Sequence, residues 1–319
     1  MYKYYSKKSH IYNTYVTQKI YSKENVAEEI LNEAVDVMKN FEKILNFYNE
    51  DSEVSNINNN SGKSFSVVSK STFDIIESAK MYSELTEGAF DITIAPLVKN
   101  WGVTSGSPNI LSDFEIAELL KLVNYKDIIL NPKNNSLMLL KENQKIDLGG
   151  IAKGYIADKM IEFYKSKGIS SAIINIGGNI KTLGLKDDSS YWKLGILEPE
   201  KNSNKCICSI ESKYQSIVTA GVYERAFIYK GKLYPHIISP LTGTPIDSDL
   251  VSVTIVDDDS MKCDALSTPI LIMGTEKGID FMKRNNIKGI LITKNKEIIA
   301  NKSLYESIKV DGEYATFSF

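Results

Sequence analysis

From Asn25 to Phe47, apolar side chains recur every three or four positions (Val26, Ile30, Ala34, Met38, Phe41, Leu45) with charges between them. That period predicts a long amphipathic helix. A second helix is predicted from Ser71 to Leu85, with Phe73, Ile76, Ala79 and Tyr82 on one face. A third should start at Ser112, where Ser112 and Glu115 make a capping-box pattern ahead of Ile116, Leu119 and Leu120. The polar stretch Asn49–Lys63, rich in Asn, Ser and Asp, reads as a loop. Asp127–Leu130 and Leu137–Leu140 flank a polar turn, Asn131 to Asn135, and read as a hairpin.

Beyond Ser170 the pattern turns strand-rich: Ala172–Ile176, Trp192–Leu197, Cys206–Ile210, Ser216–Val218, Ala226–Tyr229 and Val251–Val256, separated by Gly, Asn, Asp or Pro. Two helices, Lys262–Met273 and Thr275–Asn285, and a strand, Gly289–Thr293, are expected near the end. Pro269 cannot donate to the Ala265 carbonyl, so a kink is expected there. Helices and hairpin-linked strands in blocks indicate an α+β fold rather than a doubly wound sheet.

Composition narrows the function classes. The chain has 319 residues, 43 % of them hydrophobic, with 38 basic and 40 acidic side chains spread along it. Length alone suggests roughly two domains. A net charge of −2 without a clustered basic patch gives no footing for nucleic acid. Cys206, Cys208 and Cys263 form neither a disulfide framework nor a zinc site, and Cys206 and Cys208 read as small residues on one strand face. No run reaches the ~20 apolar residues needed to span a bilayer. The stretch from Met1 to Tyr15 has no signal-peptide core, so a cytoplasmic location is expected if Met1 is the true start, and an exported or anchored one if a leader was trimmed.

Unusual residues concentrate in four segments. Gly88-Ala89-Phe90-Asp91-Ile92-Thr93 is the first. In the second, Asp147-Leu148-Gly149-Gly150-Ile151-Ala152-Lys153-Gly154-Tyr155 through Asp158, paired glycines precede a helix whose first turn carries Lys153. A helix start offers unpaired N–H groups to an anion, although a Gly-Gly turn can also be purely structural. The third runs from Thr219-Ala220-Gly221 through Tyr223-Glu224-Arg225 to His236-Ile237-Ile238-Ser239-Pro240 and Thr242-Gly243. His236 can take a proton from a hydroxyl near neutral pH, or serve only as a hydrogen-bonding surface residue. In the fourth, Asp264-Ala265-Leu266-Ser267-Thr268, positions 264 and 268 share a helix face with Ser267 alongside. Such a sparse all-oxygen set suits Mg²⁺, which keeps waters and completes its octahedron with substrate phosphates. The alternative is that Asp264 caps a helix and Thr268 packs.

Taken together, in this order, these segments resemble the FAD:protein FMN transferases, the ApbE-like family, from about Tyr12 to Phe319. Tyr48-x-x-Asp51-Ser52-Glu53 with Asn58, and Ile176-Gly177-Gly178-Asn179, add to the match. The resemblance implies a single T-fold-like α+β domain over residues 12–319 after a short N-terminal extension, 1–11, with mixed and antiparallel sheets, flanking helices and an FAD cleft between two subregions. It implies Mg²⁺ ligands at Asp264, Ser267 and Thr268 and at the Gly150 carbonyl. It places FAD against Tyr48, Ala89, Phe90, Asp91, Asp147, Lys153 and Ile238, with His236 deprotonating the acceptor. The implied reaction moves FMN from FAD to a threonine or serine of an acceptor flavoprotein and releases AMP. Hydrolysis of FAD to FMN and AMP, or flavin binding without catalysis, are the alternatives. The chain departs from the family's Met-Gly-Thr at Tyr12-Asn13-Thr14 and from its Thr-Ser-Gly at Thr219-Ala220-Gly221.

Overall fold

The computed structural model describes residues 2–103, 106–200, 203–223, 225–306, 308–310 and 314–319. The chain divides into two compact units, one of Met1–Glu42, Lys153–Gly221 and Asp249–Phe319, the other of Lys43–Ala152 and Val222–Ser248. It passes from one to the other four times, once directly after the Gly149-Gly150 segment.

The first unit is built on a nine-stranded sheet. Its order is Tyr2–Ile11, Thr14–Lys23, Ala172–Ile176, Asn179–Leu183, Ser216–Gly221, Leu250–Asp257, Lys288–Thr293, Glu297–Ala300 and Ala315–Ser318. Every neighbouring pair is antiparallel except the last, which is parallel. The residues expected as an N-terminal extension are its edge strand, paired with Thr14–Lys23 across a Tyr12-Asn13 turn whose φ values of 59° and 54° are those of a type I′ hairpin. The strand was hidden because its side chains are mostly Tyr, Lys and Ser; only Thr14–Lys23 alternates cleanly, burying Val16, Gln18, Ile20 and Ser22.

Ile217, Val256, Ile290 and Ile292 pack with Trp192, Leu194, Ile196 and Ile210 of a smaller sheet formed by Trp192–Leu197, Cys206–Ser212 and Lys309–Val310. Tyr164 of the Ala152–Ser166 helix bonds Gln18 on the sheet at 2.6 Å, and Phe41 of the Glu24–Leu45 helix meets Tyr155 edge-on at 5.9 Å. The helix Ser260–Arg284 packs on Ser216–Gly221 and Leu250–Asp257. Its break falls at Gly274 (φ 78°, ψ −177°), between the two helical segments expected from Lys262 to Met273 and from Thr275 to Asn285, while Pro269, where a kink was expected, keeps helical backbone angles. Glycine tolerates that left-handed φ, and the Asp249 carboxylate restarts the helix by accepting the Thr275 N–H at 3.0 Å.

Burial pushes the Asp249 carboxyl up, but the hydrogen bonds from Thr275 and nearby N–H groups outweigh it and hold it below the usual value. A carboxyl lowered in the folded state adds stability above its unfolded pKa and loses it as pH falls. Asp249→Ala is therefore expected to lower stability near pH 7 by less than about 1 kcal/mol, because solvent screens an exposed carboxylate. The deficit should close on acidification below about pH 4, as read by urea unfolding at several pH values.

The second unit holds the helices Glu53–Asn59, Lys70–Leu85, Ala95–Trp101 and Asp113–Leu120. It also holds a three-stranded sheet of Ser66–Val67, Ile128–Asn131 and Ser136–Leu139, and the hairpin Ala226–Tyr229/Lys232–Pro235. The expected loop Asn49–Lys63 contains the first of these helices: Ser52 accepts the Ser55 N–H, and Val54 and Ile57 are buried beneath an otherwise polar surface. The capping box at Ser112 and Glu115 forms in both directions. Among the described residues no helix is long and apolar enough to cross a membrane.

Candidate functional site

Two helices of the first unit cross at Gly154. A Cβ there would lie 2.2 Å from the Ser260 carbonyl oxygen and 2.7 Å from the Met261 Cα, so only glycine lets the Ala152–Ser166 helix approach the start of Ser260–Arg284. The Gly154 N–H then donates to Asp264 Oδ2 at 3.0 Å, and Lys153 Nζ stands 3.5 Å from Asp264 Oδ1. The Asp264 carboxylate is buried, and a buried charge persists only when paired and hydrogen-bonded. Ser267, also buried, donates its hydroxyl proton to the Asp264 carbonyl at 3.1 Å, and Thr268 is half-buried one residue on.

One turn along from Gly154, Asp158 fixes the same crossing. Its carboxylate accepts the N–H groups of Ser260 and Met261 at 3.0–3.1 Å and pairs with Lys181, which also donates to the Asp258 carbonyl. Burial pushes the Asp158 carboxyl up, against the lowering effect of Lys181 and the two N–H groups. The alternative reading of Asp264 as a helix cap does not hold, because Asp259 is the N-cap and Asp158 serves the first turn. In the sequence Asp158 stands at the end of a motif, and its spacing of four from Gly154 is the signal that both face one neighbour.

In the second unit, Ala89, Phe90, Asp91, Asp147 and Gly150 come together. The Asp147 N–H donates to the Ile92 carbonyl at 2.8 Å, and Asp147 Oδ1 accepts the Gly149 N–H at 2.8 Å. The Phe90 ring lies 3.3 Å from where a Gly150 Cβ would stand. Asn58, buried, braces the approach to the glycines through both backbone groups of Ile146. Asp91 turns its carboxylate onto its own loop, accepting from the Thr93 N–H and hydroxyl through Oδ1 and from the Tyr125 N–H through Oδ2. Burial holds its carboxyl above the usual range despite those bonds. Asp91 therefore braces its own loop next to the buried Ala89 and Phe90.

His236 follows the hairpin directly. Its ring Nδ1 lies 3.0 Å from the Arg225 carbonyl oxygen, and its backbone N–H donates to the same oxygen at 2.9 Å. A carbonyl only accepts, so Nδ1 carries a proton, and in the neutral ring the lone pair is then on Nε2, the arrangement a general base requires. Ile238 is buried with Leu97, Trp101, Leu111 and Ile116, so that residue can offer a ligand only its main chain. Tyr48 is 65 % exposed, its ring edge-on to Phe47 at 5.1 Å. Glu224, part of the Tyr223–Arg225 motif, lies outside the described residues.

The donors around Asp264 fit a magnesium ion by their chemistry: one carboxylate and two hydroxyls, all hard oxygens, on one helix. Among the described residues no group of three His, Cys, Asp or Glu side chains converges to make a denser cage.

Residues 12–291 match the ApbE family. The FAD:protein FMN transferase of Klebsiella pneumoniae is 34 % identical over 282 residues, 88 % of this chain and 86 % of the relative. Two solved structures share the fold: the ApbE protein of Thermotoga maritima, with a TM-score of 0.88 at 30 % identity over 96 % of this chain and 99 % of that one, and the flavin transferase ApbE of Vibrio cholerae, with a TM-score of 0.86 at 27 % identity over 96 % and 100 %.

Proposed function

The chain belongs to the ApbE family, and from that membership we infer that it is an FAD:protein FMN transferase, moving the FMN half of FAD to an acceptor protein. The acceptor group in this reading is a threonine or serine hydroxyl. Its oxygen attacks the FMN-side phosphorus, a new P–O bond forms, and the bond to the bridging oxygen breaks as AMP leaves. Such a displacement asks the protein to position groups and to neutralise charge.

The buried Asp264, held by Lys153 and Gly154, is the observation that carries the charge-handling part of the proposal. Asp264, Ser267 and Thr268, with the Gly150 carbonyl, would hold Mg²⁺. Bound there, the metal would neutralise pyrophosphate oxygens and stabilise the departing phosphate. Lys153 adds a cation next to that carboxylate. His236 takes the acceptor's proton at Nε2, its orientation set by the Arg225 carbonyl. Ala89 and Phe90, presented by the Asp91-braced loop, line the flavin substrate together with Tyr48, Asp147 and the Ile238 main chain.

His236→Gln tests the base. It is expected to lower kcat for transfer by about 10²-fold or more while the KM for FAD stays near wild type, because general-base catalysis acts in the transition state. In-gel flavin fluorescence of an acceptor after incubation with FAD and Mg²⁺ provides the rate. An unchanged kcat would remove His236 from the mechanism.

A further inference from the structure

The strand Asn179–Leu183 opens on a buried asparagine that none of the contacts around Asp264 uses. From Val16 to Ile255 its row across the large sheet is otherwise apolar: Val16 pairs with Ile176, Ile176 with Asn179, Asn179 with Val218 and Val218 with Ile255, and all are buried. Asparagine is disfavoured in such a place. This one is 2 % exposed, and its Nδ2 is buried and meets no acceptor among the described residues. Buried N–H groups are normally satisfied by protein or by ordered water, because leaving one unpaired is costly. The sheet register places this donor. Ser216 pairs with Lys181 and Val218 with Asn179, so all four side chains share one face. That face carries the crossing helices, since Ser260 Oγ lies 2.6 Å from Ser216 Oγ and Asp158 pairs with Lys181. From Ser260 the helix runs back along Ser216–Gly221, on which it packs. Four helical residues rise about 6 Å and two strand residues about 6.6 Å. Asp264 therefore comes level with Val218 and Asn179, and so does Gly154, which donates to it at 3.0 Å one turn before Asp158.

We propose that Asn179 is a positioning residue for Asp264. Its side-chain N–H donates to a buried water, and that water donates in turn to the carboxylate, fixing the rotamer in which Asp264 can meet a cation. The role rests on the reading of Asp264 as a Mg²⁺ ligand. An N–H donor cannot itself ligate a cation, so Asn179 acts through an oxygen. The Asp264 carboxylate has lone pairs to spare: Oδ2 takes the Gly154 N–H, and Oδ1 faces Lys153 at 3.5 Å. Outer hydrogen bonds of this kind orient a ligand before the metal arrives, and their loss typically weakens metal affinity by about 10- to 100-fold.

The test compares Asn179→Val with Asn179→Thr, two β-branched side chains of one shape that suit a strand, of which only threonine keeps a donor. The probe is Mg²⁺ alone, added to the full chain without FAD, with affinity read from the rise in melting temperature as metal is added. Asn179→Val is expected to raise the Kd for Mg²⁺ about tenfold and Asn179→Thr about twofold. Urea unfolding in EDTA shows that each variant is folded. A crystal structure of the metal-free wild type gives a second reading that needs no variant, with a water expected in bonds to both Asn179 Nδ2 and Asp264. Equal Mg²⁺ affinity in wild type and Asn179→Val overturns the positioning role. An equal loss in both variants also overturns it, because packing and not the donor would then be responsible. A crystal structure in which no water joins Asn179 to Asp264 overturns it whether or not the valine variant folds. A wild type that gains no stability from Mg²⁺ overturns the metal reading itself, and the role of Asn179 with it.

Discussion

Asp264→Asn is expected to abolish Mg²⁺-dependent FMN transfer, lowering the rate by about 10³-fold or more, while leaving the protein folded. The amide oxygen is isosteric with the carboxylate and can still accept the Gly154 N–H, so the helix crossing keeps its hydrogen bond. What disappears is the negative charge that makes the site a cation ligand. Removing it also relieves a buried anion, so stability without metal should stay close to wild type. Mg²⁺ should raise the melting temperature of the wild type, by the equivalent of about 2.7 kcal/mol at a hundredfold excess over Kd, and should not raise that of the variant. A variant that transfers FMN at the wild-type rate, or that gains the same stabilisation from Mg²⁺, would show that the cation is held elsewhere.

Gly154→Ala is expected to be among the most damaging single-methyl additions in the chain. The added carbon would stand 2.2 Å from the Ser260 carbonyl oxygen, a backbone atom that cannot rotate away. Separating the two helices to make room would break the bond from the Gly154 N–H to Asp264 and pull Ser260 and Met261 off Asp158. A loss of about 3 kcal/mol or more is expected, at the upper end of overpacking effects, because close approach and hydrogen bonding are lost together. Chemical unfolding gives the value directly, and a wild-type midpoint would mean that the helices do not cross as closely as described.

Much of this was legible in the residues because its causes are local. The Glu24–Leu45 helix follows from its apolar period, and the Asp113–Leu120 helix from Ser112 and Glu115, which cap each other. The two segments expected from Lys262 to Met273 and from Thr275 to Asn285 meet at Gly274, whose φ interrupts the helix, whereas Pro269, where a kink was expected, keeps helical backbone angles because a proline removes only one hydrogen bond. The strand Tyr2–Ile11 carries no hydrophobic alternation and is paired only because Thr14–Lys23, folding back on it, lies in the sheet. Within the candidate site, the residue types at Asp264, Ser267 and Thr268 were readable as oxygen donors. Their surroundings were not: the bracing by Gly154 and Asp158 joins residues more than a hundred positions apart. The Asp91 carboxylate likewise turns onto its own loop and the Ile238 side chain is buried, because burial and nearby N–H groups, not residue type, decide where a side chain points.

FMN transfer to a protein hydroxyl is read most directly from the intact mass of a threonine-bearing acceptor after incubation with the enzyme, FAD and Mg²⁺. Transfer predicts a gain of one FMN less one water, at a single hydroxyl, with AMP appearing in equal amount. Free FMN and AMP beside an unmodified acceptor would contradict it, because water would then be taking the place of the protein nucleophile.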